Sequence, residues 1–134
     1  MKIIIAGASG TIGMNLIPLL IKQGHEVAGI TRSSKKTLLL KRTGCVPILC
    51  NVFSLLELKR EIKNFKPDII INQLTDLPDD PKQIPEYGVR TSRVRIEGTA
   101  NLIVANKSIK AKIISQSVDW EISGNGGLAV KQLK

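Results

Sequence analysis

Gly7, Gly10 and Gly13 lie near the start of the chain at the spacing of a loop that binds an anion. They follow the apolar run from Ile3 to Ala6 and precede an apolar stretch from Met14 to Gln23, which predicts a buried strand, a tight turn and a helix. We expect the glycines to permit positive φ angles and the close approach of a ligand. Such a turn directs backbone N–H groups and the positive end of the helix at one point, so it predicts a pyrophosphate site. The residues that we expect to bind the pyrophosphate are those of the turn, namely Gly7, Ser9, Gly10, Thr11, Ile12 and Gly13.

The spacing Gly-x-x-Gly-x-x-Gly differs from the Gly-x-Gly-x-x-Gly fingerprint of the dehydrogenases. A tight strand-to-helix turn without any ligand is therefore the alternative interpretation. The position of the triplet, directly after a β-branched run and before a helix that a glycine ends, favours the binding site.

Arg32 follows the second predicted strand, Glu26 to Thr31. In dinucleotide-binding folds the tip of this strand meets the adenosine ribose, and an acidic residue there binds the 2′-hydroxyl of NAD. A guanidinium at this place suits the 2′-phosphate of NADP instead. We therefore predict NADP as the cofactor, with NAD as the alternative, although an arginine at a strand end is also an ordinary surface residue.

The remaining elements predict an α/β fold with a doubly wound parallel sheet. They are a helix at 37–43, a strand at 45–50, a helix at 54–65 capped by Ser54, a strand beginning at 69, a helix at 86–107 and a strand at 111–115. Pro47 makes the third strand an edge candidate. We predict the strand order 3-2-1-4-5 of an NAD(P)-binding Rossmann fold, one domain over residues 1–134 that is truncated after about five strands.

Two segments resemble the extended and atypical short-chain dehydrogenase/reductase proteins, the NAD-dependent epimerase/dehydratase family. One is the turn from Gly7 to Gly13, and the other, from Ile96 to Leu102, is similar to the family segment Asn-Val-x-Gly-Thr-x-Asn-Leu, although Arg95 replaces its first asparagine. The resemblance implies a Rossmann domain followed by a small substrate lobe, which this chain is expected to lack. It also implies oxidoreductase chemistry, with hydride transfer on a sugar nucleotide or a small carbonyl compound.

The resemblance further implies roles for residues after the third, fourth and fifth strands. Asn51 and Val52 are expected near the adenine of the cofactor, and Gln73, Leu74 and Thr75 are expected on the side of the nicotinamide ribose. Ser117, with Ser115 as the alternative, takes the place of the hydroxyl that binds the reacting oxygen, and Lys131 takes that of the lysine in the Tyr-x-x-x-Lys pair. Gly127 stands where the tyrosine is expected, and the single tyrosine, Tyr87, lies far upstream.

Without the tyrosine, the chain is interpreted either as a fragment of a longer enzyme or as a shortened homologue that binds without catalysing. The alternative function is a redox-sensing or regulatory module that binds NADP. We expect the chain alone not to turn over a substrate, because a positioned proton donor is typically worth about 10²–10⁴ in rate.

The composition of the chain limits the kinds of partner that we expect it to bind. The 134 residues carry a net charge of +9, but the basic residues are distributed and only 3% of residues are aromatic, so we expect no nucleic acid partner. The apolar runs are too short for a membrane span, so we expect a cytoplasmic protein. Cys45 and Cys50 are expected to be reduced thiols, and no metal site is predicted. The sequence leaves a homodimer open.

Overall fold

The computed structural model describes residues 1–74 and 92–115, which form a five-stranded parallel sheet with helices on both faces. The strands are β1 (Lys2–Ala6), β2 (Glu26–Thr31), β3 (Val46–Leu49), β4 (Ile69–Asn72) and β5 (Lys112–Ser115). Their order is β3-β2-β1-β4-β5, and every neighbouring pair is parallel. This is the doubly wound order predicted from the sequence.

Two of the described helices begin earlier than their apolar patterns suggest. The helices are α1 (Thr11–Lys22), α2 (Ser34–Arg42), α3 (Leu55–Phe65) and α4 (Thr99–Asn106), and a π-helical turn (Val94–Gly98) precedes α4. The prediction placed the starts of α1 and α2 three residues too late, because the first turns of these helices are polar or exposed and carry no apolar signal. The part of the predicted helix at 86–107 that precedes residue 92 lies outside the described residues.

The apolar side chains of the central strands alternate between two core layers. Ile4 and Ile70 belong to the layer under α3 and α4, with Leu58 and Ile62 of α3 and Leu102 of α4. Ile3, Ile5 and Val27 belong to the opposite layer, under α1 and α2. Because both faces of β1 are covered, its sequence reads as a continuous isoleucine run rather than as an alternating pattern.

Two local predictions are confirmed at the edge of the sheet. β3, which contains Pro47, pairs only with β2 among the described strands, as expected for a strand whose proline cannot donate a hydrogen bond. Ser54 precedes α3, and its hydroxyl accepts a hydrogen bond of 3.3 Å from the Glu57 backbone N–H. This bond satisfies one of the unpaired donors at the start of the helix. No helix in the described ranges is long and apolar enough to cross a membrane.

Both thiols are free and buried. Burial raises the pKa of Cys45, and burial together with the carboxylates of Glu57 and Glu61 raises the pKa of Cys50 to about 11. Since the thiolate is the reactive form, neither side chain is activated for chemistry.

We expect Cys50 to resist iodoacetamide at pH 8 in the native protein and to react readily in guanidinium chloride. A shift of about two units in pKa lowers the thiolate fraction roughly a hundredfold at that pH, and burial slows the reagent further. Mass spectrometry of peptides from timed reactions gives the rate at each cysteine. Equal rates at Cys50 in the native and the unfolded chain would contradict the burial seen here.

Candidate functional site

The strand order reverses between β1 and β4, and the carboxyl ends of these strands meet the start of α1 there. In open α/β sheets this reversal leaves a crevice outside the strand ends, which is where ligands bind. The first N–H groups of α1 have no partners within the helix, and its N-cap, Gly10, has no side chain to satisfy them. The first turn of α1 also contains no acidic residue. The turn therefore offers donors and a positive helix end to an anion.

Gly7 is required by the backbone itself. Its φ of +78° lies in the left-handed region that side chains disfavour. A Cβ atom at this position would also collide with the backbone carbonyl of Gln73, which lies beside the turn. Gly7 thus lets the chain leave β1 sharply while it stays in close contact with the residues that follow β4.

Gly10 and Gly13 have different reasons to be glycine. A Cβ atom at Gly13 would lie 2.8 Å from the Ala8 Cα atom, so Gly13 lets the first turn of α1 pack directly on the loop. Gly10 has a φ of −76°, and the nearest described atom to a Cβ there is the Gly7 carbonyl oxygen at 3.5 Å. The expectation of positive φ is therefore wrong for Gly10 and for Gly13. No contact with the described residues demands glycine at the exposed position 10.

Ser9 connects the glycine turn to the end of β2. Its hydroxyl forms a hydrogen bond of 3.2 Å with the buried Thr31 hydroxyl, and the Thr31 oxygen also accepts a bond of 3.2 Å from the Ser33 backbone N–H. Thr11 and Ile12, which follow in the first turn of α1, are exposed. The chain of hydroxyls fixes the turn relative to the residues where the ribose is expected.

Arg32 is exposed at the end of β2, directly before the start of α2. The first turn of α2 contains no acidic residue but does contain the exposed side chains of Lys35 and Lys36. The neighbourhood of Arg32 therefore combines a guanidinium, two ammonium groups and a helix N-terminus, all of which favour a negatively charged group.

Asn51 and Val52, predicted to lie near the adenine, differ in exposure. Asn51 is exposed, and its side-chain oxygen accepts a hydrogen bond of 3.0 Å from the Phe53 backbone N–H. An amide oxygen has two lone pairs, so it can accept one further bond. The Val52 side chain is buried in the core beneath α3 and α4. The Val52 backbone carbonyl oxygen accepts a hydrogen bond of 2.8 Å from the Asn101 side-chain amide. A contact of Val52 with a cofactor stays a prediction.

Gln73 and Leu74, predicted to line the nicotinamide side, follow β4. The Gln73 N–H donates to the Ala6 carbonyl oxygen over 2.8 Å, which extends the pairing of β4 with β1. Leu74 is buried, and its Cδ1 atom lies 2.7 Å from where a Cβ of Gly98 would be. Gly98 therefore permits the helical segment before α4 to pack closely on the residue that follows β4.

Asn72 is the central polar residue that the sequence analysis missed. Its side-chain Nδ2 donates hydrogen bonds to the Thr99 hydroxyl at 2.8 Å and to the Ser115 hydroxyl at 3.3 Å. Its Oδ1 accepts a hydrogen bond of 3.1 Å from the Leu74 N–H. It is buried, and it links the ends of β4 and β5 to the start of α4. A polar residue that ends the run Ile69–Ile71 is the signal that could have identified it.

The segment Gly98–Asn101 therefore contacts the ends of two strands, β3 and β4, and is connected to the end of β5 through Asn72. Gly98 packs on Leu74, Thr99 binds Asn72, and Asn101 binds the carbonyl group that follows β3. This segment carries the second sequence resemblance, and the structure gives it the role of holding the loops around the crevice in place.

Three predicted site residues, Thr75, Ser117 and Lys131, lie outside the described residues. Ser115, the alternative to Ser117, ends β5 and bonds to Asn72. Within residues 1–74 and 92–115, no cluster of histidine, cysteine or acidic side chains could hold a metal ion.

Comparisons with known proteins place this geometry in a wider context. The model of the NAD dependent epimerase/dehydratase family matches residues 3–119. A Streptomyces protein named 3-diazoavenalumate denitrifying reductase is 28% identical over 130 residues, which cover 94% of this chain and 40% of the relative. This chain thus spans two-fifths of that relative's length.

Solved structures share the same fold. The Bordetella bronchiseptica enzyme WbmG, determined in complex with NAD, is 25% identical with a TM-score of 0.69, over 86% of this chain and 36% of WbmG. UDP-glucose 4-epimerase from Bifidobacterium longum, in complex with NAD+ and UDP, superposes with a TM-score of 0.74 at 15% identity, over 92% of this chain and 38% of the epimerase. At that identity the second likeness concerns the fold alone.

Proposed function

We propose a dinucleotide-binding function for this chain, which belongs to the NAD dependent epimerase/dehydratase family. In this proposal the pyrophosphate of a nicotinamide cofactor lies against the turn from Gly7 to Gly13, and the adenosine ribose lies at the end of β2. The neighbour WbmG was determined with NAD, which supports a cofactor of this chemical class.

The observation that carries the proposal is that contacts within the protein account for two of the three glycines but not for the third. Gly7 and Gly13 are explained by contacts within the protein, whereas the exposed Gly10 has no described atom closer than 3.5 Å to where its Cβ would lie. A turn that served only to connect β1 with α1 would not need glycine at that position. A backbone that must approach a pyrophosphate would need it.

We further propose that the cofactor is NADP rather than NAD. The exposed Arg32 takes the place of the ribose-binding carboxylate, and the first turn of α2 adds Lys35 and Lys36 without any acidic residue. A 2′-phosphate carries a charge of about −2 at neutral pH, and a guanidinium binds such a group through paired hydrogen bonds.

We expect Arg32→Asp to weaken NADP binding by roughly 1.5–3 kcal/mol, the range for a hydrogen bond to a charged group, and to leave NAD binding equal or tighter. Calorimetric titration of both cofactors against both proteins measures the change. Arg42→Asp, which removes an exposed arginine at the other end of α2, is the matched control and should leave both affinities unchanged. If NAD binds the unmodified chain as tightly as NADP does, the assignment of Arg32 is wrong.

For the chemistry, we propose that the cofactor half seen here serves hydride transfer on a sugar nucleotide or a small carbonyl compound. Family membership and the relative named as a reductase support this class. Asn72 would hold the Ser115 hydroxyl at the edge of the crevice, where a polar contact with a bound ligand is available. The alternative, a module that binds NADP as a signal, uses the same cofactor site.

A further inference from the structure

A basic groove lies between α3 and α4, on the face of the sheet opposite α1. Its volume is about 690 Å³, and we define it by Leu56, Lys59, Lys63, Val104, Ala105 and Lys107. Three exposed lysines thus surround a floor of small and branched apolar side chains. Neither ion pair that the structure shows between described residues involves any of the three lysines.

The acidic residues of α3 lie away from this groove. Glu57 and Glu61 both act on the buried Cys50 thiol beyond the end of β3, and Glu61 pairs with Arg60 at 3.6 Å. No acidic residue is among the described residues that line the groove. Arg60 also lines the groove and is compensated by its ion pair with Glu61, so the positive charge without an ion pair among the described residues is that of Lys59, Lys63 and Lys107.

We propose that this groove is a docking site for an acidic peptide segment of a partner protein, with carboxylates that meet the lysines and an apolar side chain that covers Leu56. Lys59 and Lys63 are one helical turn apart, about 6 Å along the axis, so carboxylates one turn apart on a helical segment would face them. Leu56 is 78% exposed, so an apolar side chain of the partner that covers it would remove apolar surface from water and favour association.

Charge and composition disfavour the other occupants. A second copy of this chain carries the same net charge of +9, so two basic faces would repel each other. Single-stranded nucleic acid binds on aromatic side chains that stack with bases, and the described lining of the groove contains none. The groove is also separate from the crevice at the start of α1, because α3 and α4 cover the other face of the sheet.

The test uses fluorescence anisotropy with the full 134-residue chain and a labelled peptide of about 14 residues, composed of glutamate, alanine and leucine with carboxylates one helical turn apart. We expect binding that weakens at least about tenfold in the double variant Lys59→Glu/Lys63→Glu. Lys22→Glu/Lys41→Glu changes the same number of exposed charges on α1 and α2, and it should alter the affinity less than about twofold. Circular dichroism confirms that both variants are folded.

Several results would overturn the proposal. One is no binding of the peptide, and another is an equal loss in the two double variants, which would mean attraction by net charge alone. A single-stranded oligonucleotide of equal charge that binds more tightly than the peptide, and loses affinity in the groove variant, would assign the groove to nucleic acid. Self-association of the chain that disappears in the groove variant during sedimentation would assign it to a second copy.

Discussion

Replacing Gly10 with valine is expected to abolish dinucleotide binding while the protein remains folded. The φ of −76° and ψ of 173° at Gly10 belong to the extended region that β-branched residues adopt without strain. The nearest described atom to the new Cβ is 3.5 Å away, an ordinary van der Waals contact, so among the described residues this Cβ enters the space beside the turn without a collision. That space is where the pyrophosphate would lie, so we expect the affinity to fall by more than about a hundredfold, or about 2.7 kcal/mol.

Fluorescence titration with NADPH measures the affinity, and thermal unfolding followed by circular dichroism measures the fold. Gly10→Ala provides a graded control, because a single methyl group intrudes less and should weaken binding by a smaller factor. Ala100→Val adds a similar volume at an exposed position of α4 and should change neither quantity. Unchanged affinity in the Gly10→Val protein would move the cofactor site away from this turn.

The sequence predicted the sheet well because its central strands are buried on both faces. No described helix is a membrane span, so the isoleucine runs in β1 and β4 are explained by strands that are covered on both faces of the sheet. The bounds of β2 and the strand order followed from the same pattern, together with the glycine turn. These features are local in sequence or depend on a well-known topological rule, so a single chain suffices to predict them.

The starts of the helices were harder to predict, because the first residues of α1 are exposed. Thr11 and Ile12 lie in the first turn of α1, and because they are not buried they lack the apolar period that marks the rest of the helix. Ser33, which precedes α2, has an extended backbone, and its N–H donates a hydrogen bond to the Thr31 hydroxyl. Exposed residues at the start of a helix do not follow the apolar pattern of residues that bury a surface.

The polar connections around the crevice could not be predicted from local patterns. Asn72 bonds to Thr99 and Ser115, which lie 27 and 43 residues away in sequence. Asn101 reaches the Val52 carbonyl oxygen across 49 residues. Such partners are specified only when the strands are already aligned, so the sequence indicated the segment from Gly98 to Asn101 through resemblance and not through its contacts.

Replacing Gly7 with alanine is expected to lower the stability of the fold, whereas Gly10→Ala is expected mainly to weaken cofactor binding. The two glycines belong to the same turn but differ in backbone conformation. A φ of +78° costs a residue with a side chain about 1–3 kcal/mol. The new Cβ would also collide with the Gln73 carbonyl group, and that group cannot move freely because the Gln73 N–H is bonded to Ala6 over 2.8 Å. Forcing atoms into a packed site typically costs a further 1–3 kcal/mol or so.

We therefore expect Gly7→Ala to destabilise the fold by about 2–6 kcal/mol, measured by urea unfolding in the absence of cofactor. Gly10→Ala, at an extended φ, loses a little helix-capping quality but restricts the unfolded chain, so its stability should stay within about 1 kcal/mol of the original. Because no ligand is present in this measurement, the contrast tests the backbone geometry of the turn alone. Equal stabilities for the two variants would mean that Gly7 does not hold the left-handed conformation on which the close approach of β1 and the Gln73 segment depends.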